Sequence, residues 1–151
     1  MRTANTITIR APLPTIFAVA SDLARWPDFL SHYRYNRFLS TMPWGGIVKM
    51  SAVRSGIPTT WISIYRVDTE NCQLHFEHLR STLNATRGMI VVWNFTETQN
   101  GVVVEISHEL ELRWPLIGGL VSKYLVGLFF IHHIATLTLA GLKRKVEGMP
   151  S

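Results

Sequence analysis

Trp61, Ser63 and Tyr65 stand at alternate positions and carry side chains suited to handling an uncharged organic molecule. Residues two apart share one face of a strand, so an indole, a hydroxyl and a phenol would stand in a row. The two rings offer flat apolar walls with a donor at each tip, which suits a planar or polyketone ligand. Met89, Val91, Trp93 and Phe95 form a second, strongly apolar row. Val102, Val104, Ile106, His108, Leu110 and Leu112 form a third, with one imidazole among aliphatic neighbours. Burial favours a neutral imidazole, which can act as a general base for enolisation or anchor a carbonyl. Each row also reads as plain core, with Trp61 and Tyr65 as packing aromatics and His108 as a hydrogen-bonded core histidine. Ile62 and Ile64 make the other face of the Trp61 strand apolar too, so its inward face stays open.

The remaining polar residues point away from metal or carboxylate chemistry. His132 and His133 are adjacent on a helix, about 100° apart, so at most one can point inward. His75 and His78 fall on opposite faces of one strand. Neither pair has metal-ligand spacing, so neither a metal nor another cofactor is expected. Asp22 and Asp28 flank short helical turns and read as caps. Glu105, Glu109 and Glu111 alternate with the aliphatic row and belong to a wet face.

Positioning these groups takes a fold of modest size. At 151 residues the chain suits one domain spanning 1–151. It is 47% hydrophobic and 17% charged, against roughly a quarter charged in ordinary domains, so extra apolar surface must be buried in a core, a cavity or an interface. The formal charge is +5, but most cations occur singly and only Lys143-Arg144-Lys145 forms a run. At the end of a helix such a run complements the helix dipole, which argues against nucleic acid as a partner. Cys72 is the only cysteine, so no internal disulfide can form. The N-terminal stretch lacks the apolar core of a signal peptide, and a cytoplasmic protein is expected.

Thr6 to Arg10 alternates as a strand, and Pro12 and Pro14 then open a helix over about 13–20. A second helical turn is expected over 23–30, interrupted at Trp26-Pro27 because a residue before proline avoids the α region. Turn chemistry then divides the chain into strands near 34–42, 47–54, 59–67, 72–80, 88–97 and 102–113. A helix follows Trp114-Pro115 to about Glu147. Its 19 residues without Asp, Glu, Lys or Arg just reach a membrane span of about 20 residues. His132, His133, Thr136 and Thr138 interrupt the run, however, and seven strands need a cover for their apolar face. A buried helix is therefore expected rather than a membrane-contacting one.

This order, strand, two short helices, six-stranded meander and long helix, resembles the START-like, polyketide cyclase/dehydrase (SRPBCC) superfamily. The resemblance covers nearly the whole chain and rests on Ile7 to Pro12 leading to Ile16-Phe17-Ala18-Val19, and on Asp22, Trp26-Pro27-Asp28-Phe29 and Tyr33. Trp61-Ile62-Ser63, Ile90 to Phe95 and Leu139-Ala140-Gly141-Leu142-Lys143 complete it. It implies an α+β helix-grip fold, a seven-stranded antiparallel sheet curled around the C-terminal helix, with a cavity between them. Within the superfamily the segments around Trp26, Tyr33, Trp61, Ser63 and Trp93 look most like bacterial aromatase/cyclases. Those enzymes carry an arginine on the strand bearing the Trp and Ser, where this chain has Tyr65, with Arg66 on the opposite face.

The resemblance places Trp26 and Tyr33 at a pocket entrance. The expected lining also takes in Leu30, Trp61, Ser63, Tyr65 and His78. Val91, Trp93, Ile106, His108, Leu128 and His132 complete it. One expectation is a polyketide aromatase/cyclase in which Tyr65, His108 and Tyr33 polarise carbonyls while the tryptophans hold the chain folded for intramolecular aldol closure and dehydration. The alternative is a non-enzymatic carrier of a lipid or of a quinone resembling coenzyme Q. A module with no cavity is a third reading.

Overall fold

The structure, a computed structural model, describes residues 2–54, 56–81, 87–110 and 119–150, and their side chains except those of Arg54, Ser81 and residues 119–130. Strand β1 (Arg2–Ile9) is followed by helix α1 (Leu13–Ser21), a single 3-10 turn (Leu23–Arg25) and the short helix α2 (Trp26–Phe29). Six strands follow: β2 (Tyr33–Met42), β3 (Gly45–Arg54), β4 (Ile57–Asp68), β5 (Gln73–Ser81), β6 (Ile90–Thr98) and β7 (Gly101–Glu109). Helix α3 (Gly119–Glu147) closes the order. The expected elements are all present, with ends shifted by a few residues; positions 111–113 of the last expected strand lie outside the described residues.

The sheet is antiparallel throughout, in the order β1-β7-β6-β5-β4-β3-β2. Among the described residues, the pairing of β1 with β7 alone joins strands distant in sequence. It puts the first strand beside the last, and α3 packs on β1 while also reaching β3 near the other edge. Laid flat, β1 and β3 would stand about 24 Å apart; the sheet instead curls around the helix, as the helix-grip arrangement requires. Register shifts in β2 and between Ile62 and Ser63 help it to bend.

Local chemistry sets the turns. Gly45 and Gly46 adopt φ +150° and +151°, a region open essentially to glycine alone. A Cβ on Gly45 would run into the carbonyl of Tyr65, and one on Gly46 into that of Ser40, so both glycines let three strands close up. Pro12, in an extended conformation, opens α1 without a side-chain cap. Asp22 occupies the N-cap of the 3-10 turn but makes no side-chain cap bond, and Asp28 faces Arg25 across 3.6 Å at the surface. The aspartates are therefore not the caps their positions suggest. Trp26 is itself α-helical despite preceding Pro27, because burial of its ring outweighs the local steric preference.

At its end α3 is tied to β1: Lys143 Nζ donates to the Thr8 carbonyl at 2.6 Å and to Glu147 at 2.8 Å. Glu147 also accepts from the Arg10 backbone N–H at 2.9 Å. Lys143 is thus a tertiary latch, while Arg144 and Lys145 remain exposed at the negative end of the helix dipole. Further up, Gly141 lets α3 press on the segment after α2, where an added Cβ would meet Leu30 Cδ2 and, at 3.5 Å, the Phe29 carbonyl. Gly141→Ala should therefore destabilise the fold by about 1 kcal/mol, overpacking outweighing the gain in helix propensity. Urea unfolding measures this, and a stabilised variant would refute the contact. Among the described residues no helix is long and apolar enough to cross a membrane.

Candidate functional site: a buried aromatic cluster with neutral polar groups

The structure decides which face of β4 turns inward: Trp61, Ser63 and Tyr65 are buried, while Ile62 and Ile64 are half-buried on the outside. Arg66 points outward and lies over the Trp44 ring at 5.6 Å. Strand pairing then assembles the inner face. Tyr65 lies opposite Phe76, Phe76 opposite Val91, and Val91 opposite His108, one row across four strands. Ser63 lies opposite His78 in the neighbouring row, and the backbone N–H of His78 donates to the Met89 carbonyl at 2.9 Å. Trp93 faces Leu74 on one side and Ile106 on the other.

The residues before β2 cover this floor. The Trp26 ring stacks on Trp93 (5.4 Å, 27°) and meets Tyr33 edge-on at 5.2 Å. Its Nε1–H donates to the Ala20 carbonyl at 3.0 Å. Tyr33 reaches Trp61 at 6.1 Å, and Trp61 stacks on the His78 imidazole at 6.0 Å. Trp26 and Tyr33 are therefore members of a buried aromatic cluster rather than an open rim.

Sequence reasoning passed over three participants. Phe76 touches both Trp26 and Tyr65; its alternation with Leu74 and His78 was the available signal. Thr138, buried on α3, donates to the Ile134 carbonyl at 2.7 Å. His32 Nε2 meets its hydroxyl at 2.9 Å, and the Tyr33 hydroxyl bonds to it as well.

Of the expected lining, Leu30, Val91, Ile106, His78 and His108 are buried along with the aromatics. His132 is exposed on α3, and the side chain of Leu128 lies outside the described residues.

The described polar groups of this face are neutral near pH 7. Burial, then repulsion by His108, lowers the His78 pKa to about 3. Burial, then repulsion by His132, lowers that of His108 to about 4, and burial, then His133, lowers that of His32 to about 4. Burial raises the phenol of Tyr33, against the opposing effect of its Thr138 bond, and raises that of Tyr65. Two buried polar atoms on this face, Ser63 Oγ and His108 Nδ1, have no hydrogen-bond partner among the described residues. Each unmade bond costs about 1–3 kcal/mol, which a ligand with matching groups would relieve. No group of three His, Cys, Asp or Glu able to hold a metal occurs among the described residues.

Comparison with known proteins places this geometry. Residues 9–126 match the family model for polyketide cyclase / dehydrase and lipid transport. A Streptomyces cyaneus protein assigned as a polyketide cyclase is 25% identical over 115 residues, 74% of this chain and 73% of that protein. The Zhui aromatase/cyclase of Streptomyces sp. R1128 superposes with a TM-score of 0.84 over 97% of this chain and 93% of its own, at 14% identity. A Thermus thermophilus protein superposes at 0.79 over the whole of both chains, at 21% identity. These structural likenesses are likenesses of fold.

Proposed function

The chain belongs to the polyketide cyclase / dehydrase and lipid transport family, and on that premise we propose that it encloses an uncharged, mainly apolar molecule bearing carbonyl groups and promotes its intramolecular aldol cyclisation and dehydration. The observation that carries this reading is that Ser63 Oγ and His108 Nδ1 are buried without a hydrogen-bond partner among the described residues, on a face otherwise lined by rings and aliphatic groups. A purely hydrocarbon ligand would leave both unpaired. A polyketone would accept a hydrogen bond from Ser63 and present an acidic methylene to the imidazole.

In this mechanism neutral His108 removes a proton from a carbon between two carbonyls, and the enolate carbon bonds to a second carbonyl carbon of the same chain. The resulting alkoxide regains a proton, and loss of water gives the conjugated ring. Tyr65, a phenol whose pKa burial raises further above neutrality, donates to a carbonyl. It stands three strands from His108 along one row, about 14 Å by strand spacing. The two residues therefore engage different carbonyls of one extended molecule. Tyr33, held by Thr138, and the stacked tryptophans restrict the folding of the chain, and such positioning can supply several kcal/mol of the barrier.

The double variant Tyr65→Phe, His108→Ala is expected to change the product distribution of a polyketide synthase reaction and to weaken analogue binding two- to tenfold per lost hydrogen bond. An unchanged distribution would remove the catalytic role. A second reading, a carrier of a lipid or quinone, is favoured by the absence of charge on every described group of the enclosure near pH 7. Native mass spectrometry of protein purified without detergent separates the two: a co-purified lipid or quinone supports the carrier, whereas uptake of aromatic polyketides by empty protein supports the cyclase.

A further inference from the structure

The sheet has a second organised surface, on its outside. Between Asp28 and Asp68 the chain has no Asp or Glu but holds Arg34, Arg37, Lys49, Arg54 and Arg66; acids and bases balance elsewhere, so this segment carries the whole net charge of +5. Though scattered in sequence, Arg37, Lys49 and Arg66 converge with Arg80 through strand pairing. Arg37 lies opposite Lys49, Lys49 opposite Ile62 and Ile62 opposite Arg80, on the face away from Met50 and Trp61. The next row runs Ser40, Ile47, Ile64 and Glu77, and the one beyond it Met42, Gly45, Arg66 and His75.

Half-buried Ile47, Ile62 and Ile64 are thus surrounded by cations, with Glu77 at the β5 border. Arg37 lies over the Tyr35 ring at 4.1 Å, and Arg66 over Trp44. At the free edge and its hairpin, Leu39, Met42 and Trp44 are 57%, 45% and 40% exposed, and apolar side chains gathered at one edge beside cations suit an interaction surface. Two carboxylates stand on the adjoining turn: Asp68 accepts two hydrogen bonds from Asn71, and Glu70 is exposed.

We propose that this outer face of β2–β4 adsorbs to an anionic lipid bilayer. Anionic headgroups attract clustered Arg and Lys. Tryptophan settles at the headgroup level, and arginine stems lie along apolar surface while their heads stay in water. An acidic protein would satisfy the cations but would need a pocket shaped for Leu39, Met42 and Trp44, whereas a bilayer boundary accepts them without shape matching. Adsorption, not insertion, is meant, and it stands apart from whatever the enclosure binds.

The test is co-sedimentation of the full chain with phosphatidylglycerol vesicles and with phosphatidylcholine vesicles. Retention on the anionic vesicles alone, falling as salt is raised, is expected. Arg37→Glu with Lys49→Glu should weaken it by about tenfold or more, and Leu39→Ser with Trp44→Ser should weaken it at constant charge. All four positions lie on the outer face or free edge, and circular dichroism checks that the variants fold. Equal retention on both vesicle types, no retention on either, or an unaffected charge-reversal variant would overturn the proposal. Binding to an acidic protein but to neither vesicle would overturn it as well, in favour of a protein partner.

Discussion

Trp26→Ala should lower the free energy of unfolding by about 3–5 kcal/mol, measured by urea denaturation at neutral pH. The ring is 2% exposed and touches Trp93, Tyr33 and Phe76. Truncation therefore forfeits the transfer energy of an indole and leaves a void that the neighbouring rings, each held by its own strand or turn, cannot close. The bond from Nε1 to the Ala20 carbonyl disappears as well, freeing the end of α1 from the cover over the sheet. Against a total stability of roughly 5–15 kcal/mol for a typical domain, such a loss brings the fold near its margin. Trp26→Phe keeps most of the stacking and should cost only about 1–2 kcal/mol. A loss below about 1 kcal/mol for the alanine variant would mean that this ring does not hold the cover to the sheet.

Acidification from pH 8 to pH 5 should remove about 4 kcal/mol of stability through His78 and His108 together. Their pKa values fall from 6.5 in the unfolded chain to about 3 and about 4 in the native one. Below pH 6.5 the unfolded chain takes up protons that the native state refuses. Their neutral burial is therefore tolerated fully above that pH, and stability falls as pH decreases, by about 2 kcal/mol per histidine at pH 5. His32 adds a smaller effect of the same sign, because it is only partly buried. Asp68 and Glu147, whose pKa values are lowered chiefly by hydrogen bonds from Asn71 and from Arg10 and Lys143, act below the ordinary carboxylate range and leave the window from about 5 to 6.5 to the histidines. His108→Gln should flatten the profile by about 2 kcal/mol across this interval. An unchanged slope would mean that His108 is not held neutral by burial.

The same residues show how far reading along the chain reaches. Alternation of Val102, Val104, Ile106 and His108 was enough to place a histidine on an apolar face, because burial follows parity once one face of a strand meets the core. Parity was silent for Trp61 and Tyr65, since Ile62 and Ile64 make both faces of β4 apolar. The outer isoleucines belong to the cationic face proposed to meet lipid, so the ambiguity in sequence has a physical origin. Along the chain Trp26 reads as an entrance residue and as a break before Pro27; in the fold it is helical and buried because its environment comes from β6, far along the chain.

By itself the sequence determined the element order, the antiparallel meander and the long helix, all written in local terms: periodicity, prolines, and glycine-bearing turns such as Gly45-Gly46. The antiparallel meander in turn made neighbouring strands adjacent in space. Tertiary structure alone decided the inward face of β4, the meeting of Trp26 with Trp93, the hold of Thr138 on His32 and Tyr33, and the convergence of Arg37, Lys49, Arg66 and Arg80 on one surface. Each depends on register between strands or on a helix laid across them, and register is set by the packing of the whole sheet rather than by any one segment.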